Sequence, residues 1–494
     1  MRRSGSRRSA WSSSVRRFGT ALLVLVSAPL LSACFILGLE QPDAALDIPA
    51  GYRNGPHDAD AALPSVSWWR GFRSKELTDL IEEALTSNLD IAAAVARIVQ
   101  ADAQARVSGA ALLPLINLNA DATRTRSSQT TGTTISTGPS ERVSFSASLS
   151  ASYEIDFWGK NRATMRAAEH TAAASRFDRE VVALTTVVSV ANAYFLVLAS
   201  QDRLRVARNN LASATRVYRL IDERFKAGTA SALDTAQQES LVATQRAAIP
   251  PLVQTLQQNI ATLAVLVARP RERVKIRGGS MTRLAVPPVT PGLPSDLLAQ
   301  RPDIREAEAL LEAANANVYA ARAAFFPSIT LTGEGGTQSR LLRNLLRPES
   351  LFYNVAAGLA QPIFEGGRLQ GTLDLQKGRQ DELLQLYRKA VINGFADVDR
   401  ALVAVQQSRV RERLQREVVA SSRRAFEIAE TRLREGAVDL VTVLNTQQTL
   451  FQAEDNLAQA RLATFQAVVG LYQALGGGWQ KPPQQAPATP QNRP

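Results

Sequence analysis

The sequence predicts an α+β membrane protein built mostly from long coiled-coil helices, with four membrane-spanning β-strands in each chain. Three observations lead there. The stretch VSFSASLSASYEIDF, residues 143–157, alternates without a slip, so that Val143, Phe145, Leu149, Tyr153, Ile155 and Phe157 share one face and five serines, Glu154 and Asp156 share the other. Such a strand is longer than the average of about 5–6 residues and covers the about 9–11 that a tilted membrane strand needs. The chain is also written twice, at an offset of about 205 to 213 residues: LLPLINLNADAT (112–123) matches FFPSITLTGEGG (325–336), and RFKAGTASALDTAQQE (224–239) matches RLREGAVDLVTVLNTQ (432–447). Finally, each alternating pair is followed by a very long helical run, and from about Lys160 to Lys226 only non-breakers appear.

The elements follow in order. Residues 1–33 carry six arginines ahead of ALLVLVSAPLL (21–31) and form a cleavable secretory signal. The next residues, Leu31-Ser32-Ala33-Cys34, resemble the lipobox of bacterial lipoproteins, which implies acylation of Cys34; Phe35 after it favours sorting to the outer membrane. Residues 34–67 form a lipidated extended segment. A first structural repeat, 68–270, contains a helix, a β-hairpin at 115–157 and a long helical hairpin at 160–268. After a linker at 271–300, a second repeat, 301–478, brings a helix, a hairpin at 328–364 and a helical hairpin at 368–475. The Pro- and Gln-rich tail 479–494 reads as disordered.

Within each repeat the pattern is the same. The first helices, 74–108 and 301–325, open on Ser74 and on Pro302-Asp303, and each stops at a proline, Pro114 or Pro327. The run from Lys160 to Lys226 approaches about 100 Å at 1.5 Å per residue. Leu204, Leu211, Tyr218 and Phe225 recur every seven residues in it, with Ala207, Ala214 and Ile221 between, as in a coiled-coil seam. Val419, Phe426 and Leu433, with Ser422 and Ala429, repeat the seam in the second copy. Gly228 and Gly436 break the two runs, and return helices follow at 232–268 and 439–475. No later segment approaches about 18 consecutive apolar residues, so the membrane is crossed by strands.

Several function classes are disfavoured. One cysteine, used at the terminus, leaves no disulfide framework, and with only His57 and His170 a histidine-centred metal or catalytic site is not expected. No nucleophile elbow or phosphate loop is present, so the chain is not read as an enzyme and no cofactor is expected beyond the lipid on Cys34. The net charge of +12 falls to +6 without the six signal arginines, which weakens any case for nucleic acid. Arg340, Arg343 and Arg347, between the second pair of strands, read as part of an ordinary solvated loop rather than as contacts to lipopolysaccharide phosphates.

In lipid, an open sheet edge leaves backbone groups unpaired, so four strands must be completed by further copies. Two copies give eight strands and a filled barrel; three give twelve and a lumen. Pro114, Trp158 and Pro327 mark the helix-to-strand junctions, with Phe157, Phe325, Phe326 and Phe364 beside them at one rim.

The segments GLPSDLLAQRPDIREAEALLEAANANVYAARAAFFPSITLTG (292–333), WWRGFRSKELTDLIEEALTSNLDI (68–91) and LAVLVARP (263–270) closely resemble the TolC-like outer-membrane factors of tripartite efflux systems, in particular their OprM- and NodT-related lipoprotein branch. The resemblance covers roughly 65–475. It implies a homotrimer with a twelve-stranded barrel in the outer membrane of a Gram-negative bacterium, continuing into a periplasmic α-barrel. It also implies a periplasmic adaptor and an inner-membrane pump, commonly of the resistance/nodulation/division type, as partners. The implied function is a gated conduit to the exterior, with its gate at the tip turns around Gly228 and Gly436. Val441 and Asn445 match the positions of the family's apolar and acidic constriction rings, and Asn445 departs from the usual Asp. Asp439 and Asp234 are nearby acids that would replace it, or else serve as helix caps. The alternatives are a periplasmic adaptor lipoprotein and a lipid-anchored coiled-coil protein without a pore. Two helical hairpins and four two-faced strands per chain argue against both.

Overall fold

The computed structural model describes residues 48–49, 51–52, 65–126, 141–289, 292 and 294–479. The expected signal at 1–33, Cys34, most of the first hairpin loop and all of the tail after Trp479 lie outside the described residues. The helices and strands are α1 (Lys75–Ser87), α2 (Leu89–Gly109), β1 (Leu115–Arg126), β2 (Glu141–Ile155), α3 (Lys160–Lys226), α4 (Ala232–Ala247), α5 (Ile249–Leu266), α6 (Pro294–Gln300), α7 (Pro302–Ala323), β3 (Ser328–Ser339), β4 (Leu351–Ala360), α8 (Arg368–Arg434) and α9 (Leu440–Ala474). The chain divides into two compact units, one of residues 100–172 and 309–385, the other of 45–99, 173–308 and 386–494 among its parts.

The first unit holds the sheet. All four strands pair antiparallel in chain order, β1-β2-β3-β4. The join between the two repeats is the β2–β3 ladder, which runs from Phe145 opposite Ser339 to Ile155 opposite Ile329. The registers align the two faces across the whole sheet. Leu118 lies opposite Leu149, Tyr153 opposite Leu331, and Ile329 opposite Leu359, while Asn119 lies opposite Ser148 and Ser150 opposite Glu334. Facing residues in adjacent strands share a side, so one side is mainly apolar and the other carries Ser, Thr, Asn and three acids, Asp121, Glu154 and Glu334, with Leu115 and Phe352 as its large apolar members. At Gly336 the neighbouring strand leaves no room for a side chain: a Cβ there would fall 2.3 Å from the Ala147 carbonyl oxygen. The fourth strand ends at Ala360, not at 364, because Gln361 precedes Pro362, which cannot donate to a ladder.

The second unit holds the main core. Phe72, from the one-turn helix Trp68–Phe72, is fully buried against Phe195 of α3 (ring centroids 5.0 Å) and Phe465 of α9 (5.8 Å). Trp68 stacks on Tyr472 at 4.6 Å. Counter to expectation, one helix, α3, does contain a stretch apolar enough by length and composition to cross a membrane. Thr185, Thr186, Ser189 and Asn192 interrupt that stretch, and Val187, Val190, Ala191, Phe195 and Leu198 bury it in this core. Arg301 ties three helices together, donating to Asp303 (2.7 Å) of α7, Asp397 (3.2 Å) of α8 and the Ala474 carbonyl (3.1 Å) of α9.

Expected helices break where a side chain or a proline competes with the ladder. Asn88 separates α1 from α2: its Oδ1 accepts from the amides of Asp90 (2.9 Å) and Ile91 (3.1 Å), and its Nδ2 donates to the Leu266 carbonyl (2.8 Å). Pro250 and Pro251 divide the first return helix into α4 and α5, since neither has an amide to offer the preceding turn. Pro302 separates α6 from α7 in the same way, and α6 occupies the end of the expected linker. In the helical seams Leu204, Ala207, Ala214, Ile221, Val419, Ser422, Phe426, Ala429 and Leu433 are buried, whereas Phe225 is 44 % exposed and Val217 is fully buried.

Two outcomes follow. Gly336→Val, which puts atoms into the Ala147 backbone, should abolish the folded, membrane-inserted form, read as loss of heat-modifiable migration in gels. Burial, with Asp178 and Asp303 nearby, raises the Glu306 carboxyl from 4.5 to about 7. Its favourable neutral form is fully present below 4.5 and lost as pH rises through 7. Glu306→Gln should therefore raise the melting temperature at pH 8 and leave it nearly unchanged at pH 4.

Candidate functional site

Two groups of residues bear on transport, one in each unit. In the first unit the strands meet the helices at a structured rim. Trp158 stacks on Phe326 at 4.6 Å and its Nε1 donates to the Pro327 carbonyl at 2.8 Å, so two of the three expected junction residues are joined directly. Pro114 stands just before β1 and ends the preceding turn at Leu112. Asp156 starts α3 by accepting from the amides of Asn161 and Arg162, both at 2.9 Å. Phe157, Ile363 and Phe364 are exposed beside this rim, as interfacial residues of a membrane barrel are.

The sheet itself is a wall with two different surfaces. Leu118 (74 % exposed), Tyr353 (84 %), Val355 and Leu359 lie bare on the apolar side. On the polar side Asn119 Nδ2 donates to Ser150 Oγ and Gln338 Nε2 to Ser144 Oγ, both at 3.2 Å. Small hydroxyl and amide groups wet a surface without filling the space above it. Among the described residues the outer strands β1 and β4 each have one neighbour.

In the second unit the long helices end in the same turn, made twice. Gly228 (φ 71°) and Gly436 (φ 77°) adopt the left-handed conformation. The amide after each glycine reaches back five residues: Thr229 N to Arg224 O and Ala437 N to Arg432 O, both 2.8 Å. The glycine amides donate to Phe225 O (2.9 Å) and Leu433 O (3.1 Å), completing a Schellman motif at each end. Arg224 Nη1 also donates to Leu433 O at 2.6 Å, so one helix caps the carbonyl end of the other. Beneath the turns Val217, Ile221, Phe426, Leu433, Leu440 and Val443 form a separate small core. Glu430 takes Arg434 at 2.7 Å and Arg216 at 3.2 Å beside it.

The return helices start with the same chemistry in reversed roles. Before α4, Ser231 Oγ accepts from Asp234 N (3.1 Å) while Asp234 Oδ2 accepts from Ser231 N (2.8 Å), a full capping box. Before α9, Asp439 is itself the cap, and its Oδ1 accepts from Thr442 N (2.9 Å) and Thr442 Oγ1 (2.5 Å). Both candidate aspartates are therefore engaged as helix caps. Those hydrogen bonds from Thr442 hold the Asp439 carboxyl below its ordinary value. Val441 and Asn445 lie one turn apart on α9, both exposed, with no part in the caps. Cys34 lies outside the described residues. The cross-tip bond from Arg224 and the Glu430 cluster were not anticipated from sequence; the near-identical spacing of Arg224 and Arg432 ahead of the two glycines is the signal that points to them.

Replacing Gly436 by alanine should cost about 1 kcal/mol, because a Cβ is strained at positive φ. It should appear as faster amide exchange at residues 436–443. Asp439→Ala should loosen the same amides at neutral pH. A carboxyl held below its unfolded value stabilises above that value and loses the effect as pH falls through the depressed one, so the difference from wild type should vanish in strong acid.

The family described as Outer membrane efflux protein matches residues 80–269 and 293–477. The pyoverdine export outer membrane protein OpmQ of Pseudomonas aeruginosa is 42 % identical over 459 residues, covering 91 % of this chain and 96 % of OpmQ. The probable efflux pump outer membrane protein TtgC of Pseudomonas putida is 32 % identical, covering 94 % and 97 %. The crystal structure of the Campylobacter jejuni CmeC outer membrane channel superposes with a TM-score of 0.82 at 26 % identity, covering 90 % of this chain and 94 % of that one. A trimeric barrel is characteristic of these channels, and they work with periplasmic adaptors and inner-membrane pumps. With two-faced strands, open sheet edges and paired helical turns on the same chain, the match is to architecture as well as sequence: this chain belongs to the outer membrane efflux protein family and is an outer-membrane channel of a tripartite efflux system.

Proposed function

We propose that three copies close their sheets into one barrel, β4 of each pairing with β1 of the next, and that the paired turns around Gly228 and Gly436 are the gate. The observation that carries this reading is the sheet: both of its edges are open and its apolar side is bare. In hydrocarbon each edge needs a partner for every backbone group, and a neighbouring copy supplies one of matching length. The chain is then two structural repeats, 68–270 and 301–478, preceded by a cleaved signal and an acylated Cys34 that adds a second membrane anchor. It needs no catalytic group and no cofactor beyond that lipid. The partner pump is of the resistance/nodulation/division type.

At the tip, three copies of Val441 and Asn445 form successive rings, an apolar one and a neutral polar one. An amide in place of a carboxylate removes charge repulsion across the axis, so closure rests on packing. The aspartates hold the helix starts instead of the ring. Opening separates the two helical turns, which the Arg224 bond and the Glu430 cluster oppose. Identity of 42 % with proteins named for pyoverdine export favours pyoverdine, or a molecule of its kind, as cargo.

Val441→Cys in the mature protein, whose native cysteine is blocked by its lipid, tests the gate. Oxidation should link neighbouring copies and suppress single-channel conductance, and reductant should restore both. Linked copies with undiminished conductance would place the constriction elsewhere. Deletion of the gene should lower the amount of that molecule in the medium if the cargo assignment is right.

A further inference from the structure

The loop from β3 to β4, residues 340–350, reads RLLRNLLRPES. An ordinary solvated loop has little use for four leucines, yet Leu341, Leu342 and Leu346 are exposed, Leu346 at 90 %. The loop is held in shape by its own bonds. Asn344 N donates to Leu341 O, Arg347 N to Asn344 O and Ser350 N to Arg347 O, and Ser350 Oγ closes onto Asn344 O at 2.7 Å. Arg340, Arg343 and Arg347 are exposed too, and among the described residues no carboxylate pairs with them. The sequence between β1 and β2, residues 127–140, contains no Asp or Glu.

Charge divides the two ends of the sheet. At the helix end each base has an acid: Lys160 pairs with Glu154 at 2.6 Å, Arg162 with Asp156 at 3.1 Å, and Arg368 with Glu365. At the loop end Arg124, Arg126, Arg142 and the three loop arginines face only Glu141 and Glu349. The loop also continues the barrel's apolar belt. On β4, Leu351 to Leu359 spans about 26 Å at 3.3 Å per residue, matching an apolar band of about 25 Å. Leu351 is thus the belt's last residue, and the leucines of the loop follow directly. Because the helices join the opposite end and the family extends into the periplasm, this end meets the outer leaflet.

We propose that loop 340–350 is a docking surface for the phosphorylated, acylated glycolipid of the outer leaflet, lipopolysaccharide. The arginines take its phosphates and the exposed leucines sit among its acyl chains at the upper edge of the belt. The proposal rests on the barrel reading above.

Full-length acylated trimer in detergent would be titrated with lipopolysaccharide, with the same glycolipid stripped of its phosphates, and with phosphatidylglycerol. Arg340→Gln/Arg343→Gln/Arg347→Gln should weaken lipopolysaccharide binding at least tenfold, and removing the phosphates should weaken wild-type binding to the same extent. Leu342→Ser/Leu346→Ser should weaken binding to both forms of the glycolipid. Should the triple variant fail to assemble, the three single variants, each weakened severalfold, carry the same test. Equal binding by wild type and arginine variants overturns the proposal, as does a phosphatidylglycerol affinity equal to that for lipopolysaccharide. Single-channel conductance of the wild type is measured alongside: its loss would sink the barrel reading, whereas unchanged binding with normal conductance sinks the loop alone.

Discussion

The constraint on which the rest depends is that backbone amides and carbonyls in hydrocarbon must find partners within protein. An unpaired group there costs several kcal/mol. Each chain brings β1 and β4 as open edges, so it carries two rows of such groups that no contact of its own satisfies. The two-faced composition follows from the same demand. Once a sheet must close around water, one side has to be large and apolar and the other small and polar, which is how Leu118, Tyr353 and Leu359 come to lie on the other side of the sheet from the serines of β2. Gly336 answers a local version: a ladder drawn that tightly against Ala147 has no room for a side chain.

The helical end meets a different demand, to stop and restart a chain twice without leaving polar groups unpaired. Both turns use a left-handed glycine and a five-residue return bond, then a serine or aspartate cap. The caps exchange roles between repeats: Ser231 is answered by Asp234, while Asp439 is answered by Thr442. Both starts keep the bond from the third helical amide to the cap side chain, while the second bond differs: Asp234 accepts from the Ser231 amide, and Thr442 Oγ1 donates to Asp439. Val441 and Asn445 stay exposed on α9 and take no part in either cap.

Much of this was legible in the chain. The long helices run over Lys160–Lys226 and Arg368–Arg434, the spans between the aromatic junctions and the two glycines, because every residue between is tolerated in a helix and both ends carry strong signals. Strand alternation marked the faces correctly, since a period of two leaves no freedom in register. The misses were places where one side chain outweighs propensity. Asn88 serves as a cap on one side and a tertiary donor on the other, a role set by the Leu266 carbonyl and invisible along the sequence. Phe225 keeps its heptad place in the text but not in space: it is half-exposed at the end of α3, and Val217, next to the seam position of Tyr218, is the fully buried residue. At the tip, the chemistry of the aspartates was readable as a choice between ring and cap; the distances to Ser231 and Thr442 decide for the cap.

The ladder between β2 and β3 welds the two repeats into a single ribbon, with Ser148 facing Gly336 within it. Growth of the pore can therefore proceed only in steps of four staves: adding or losing half a chain would break that ladder and bare a new edge. Diameter is quantised by the gene, and duplication within the polypeptide, rather than any feature of the lumen, sets the coarseness of that scale.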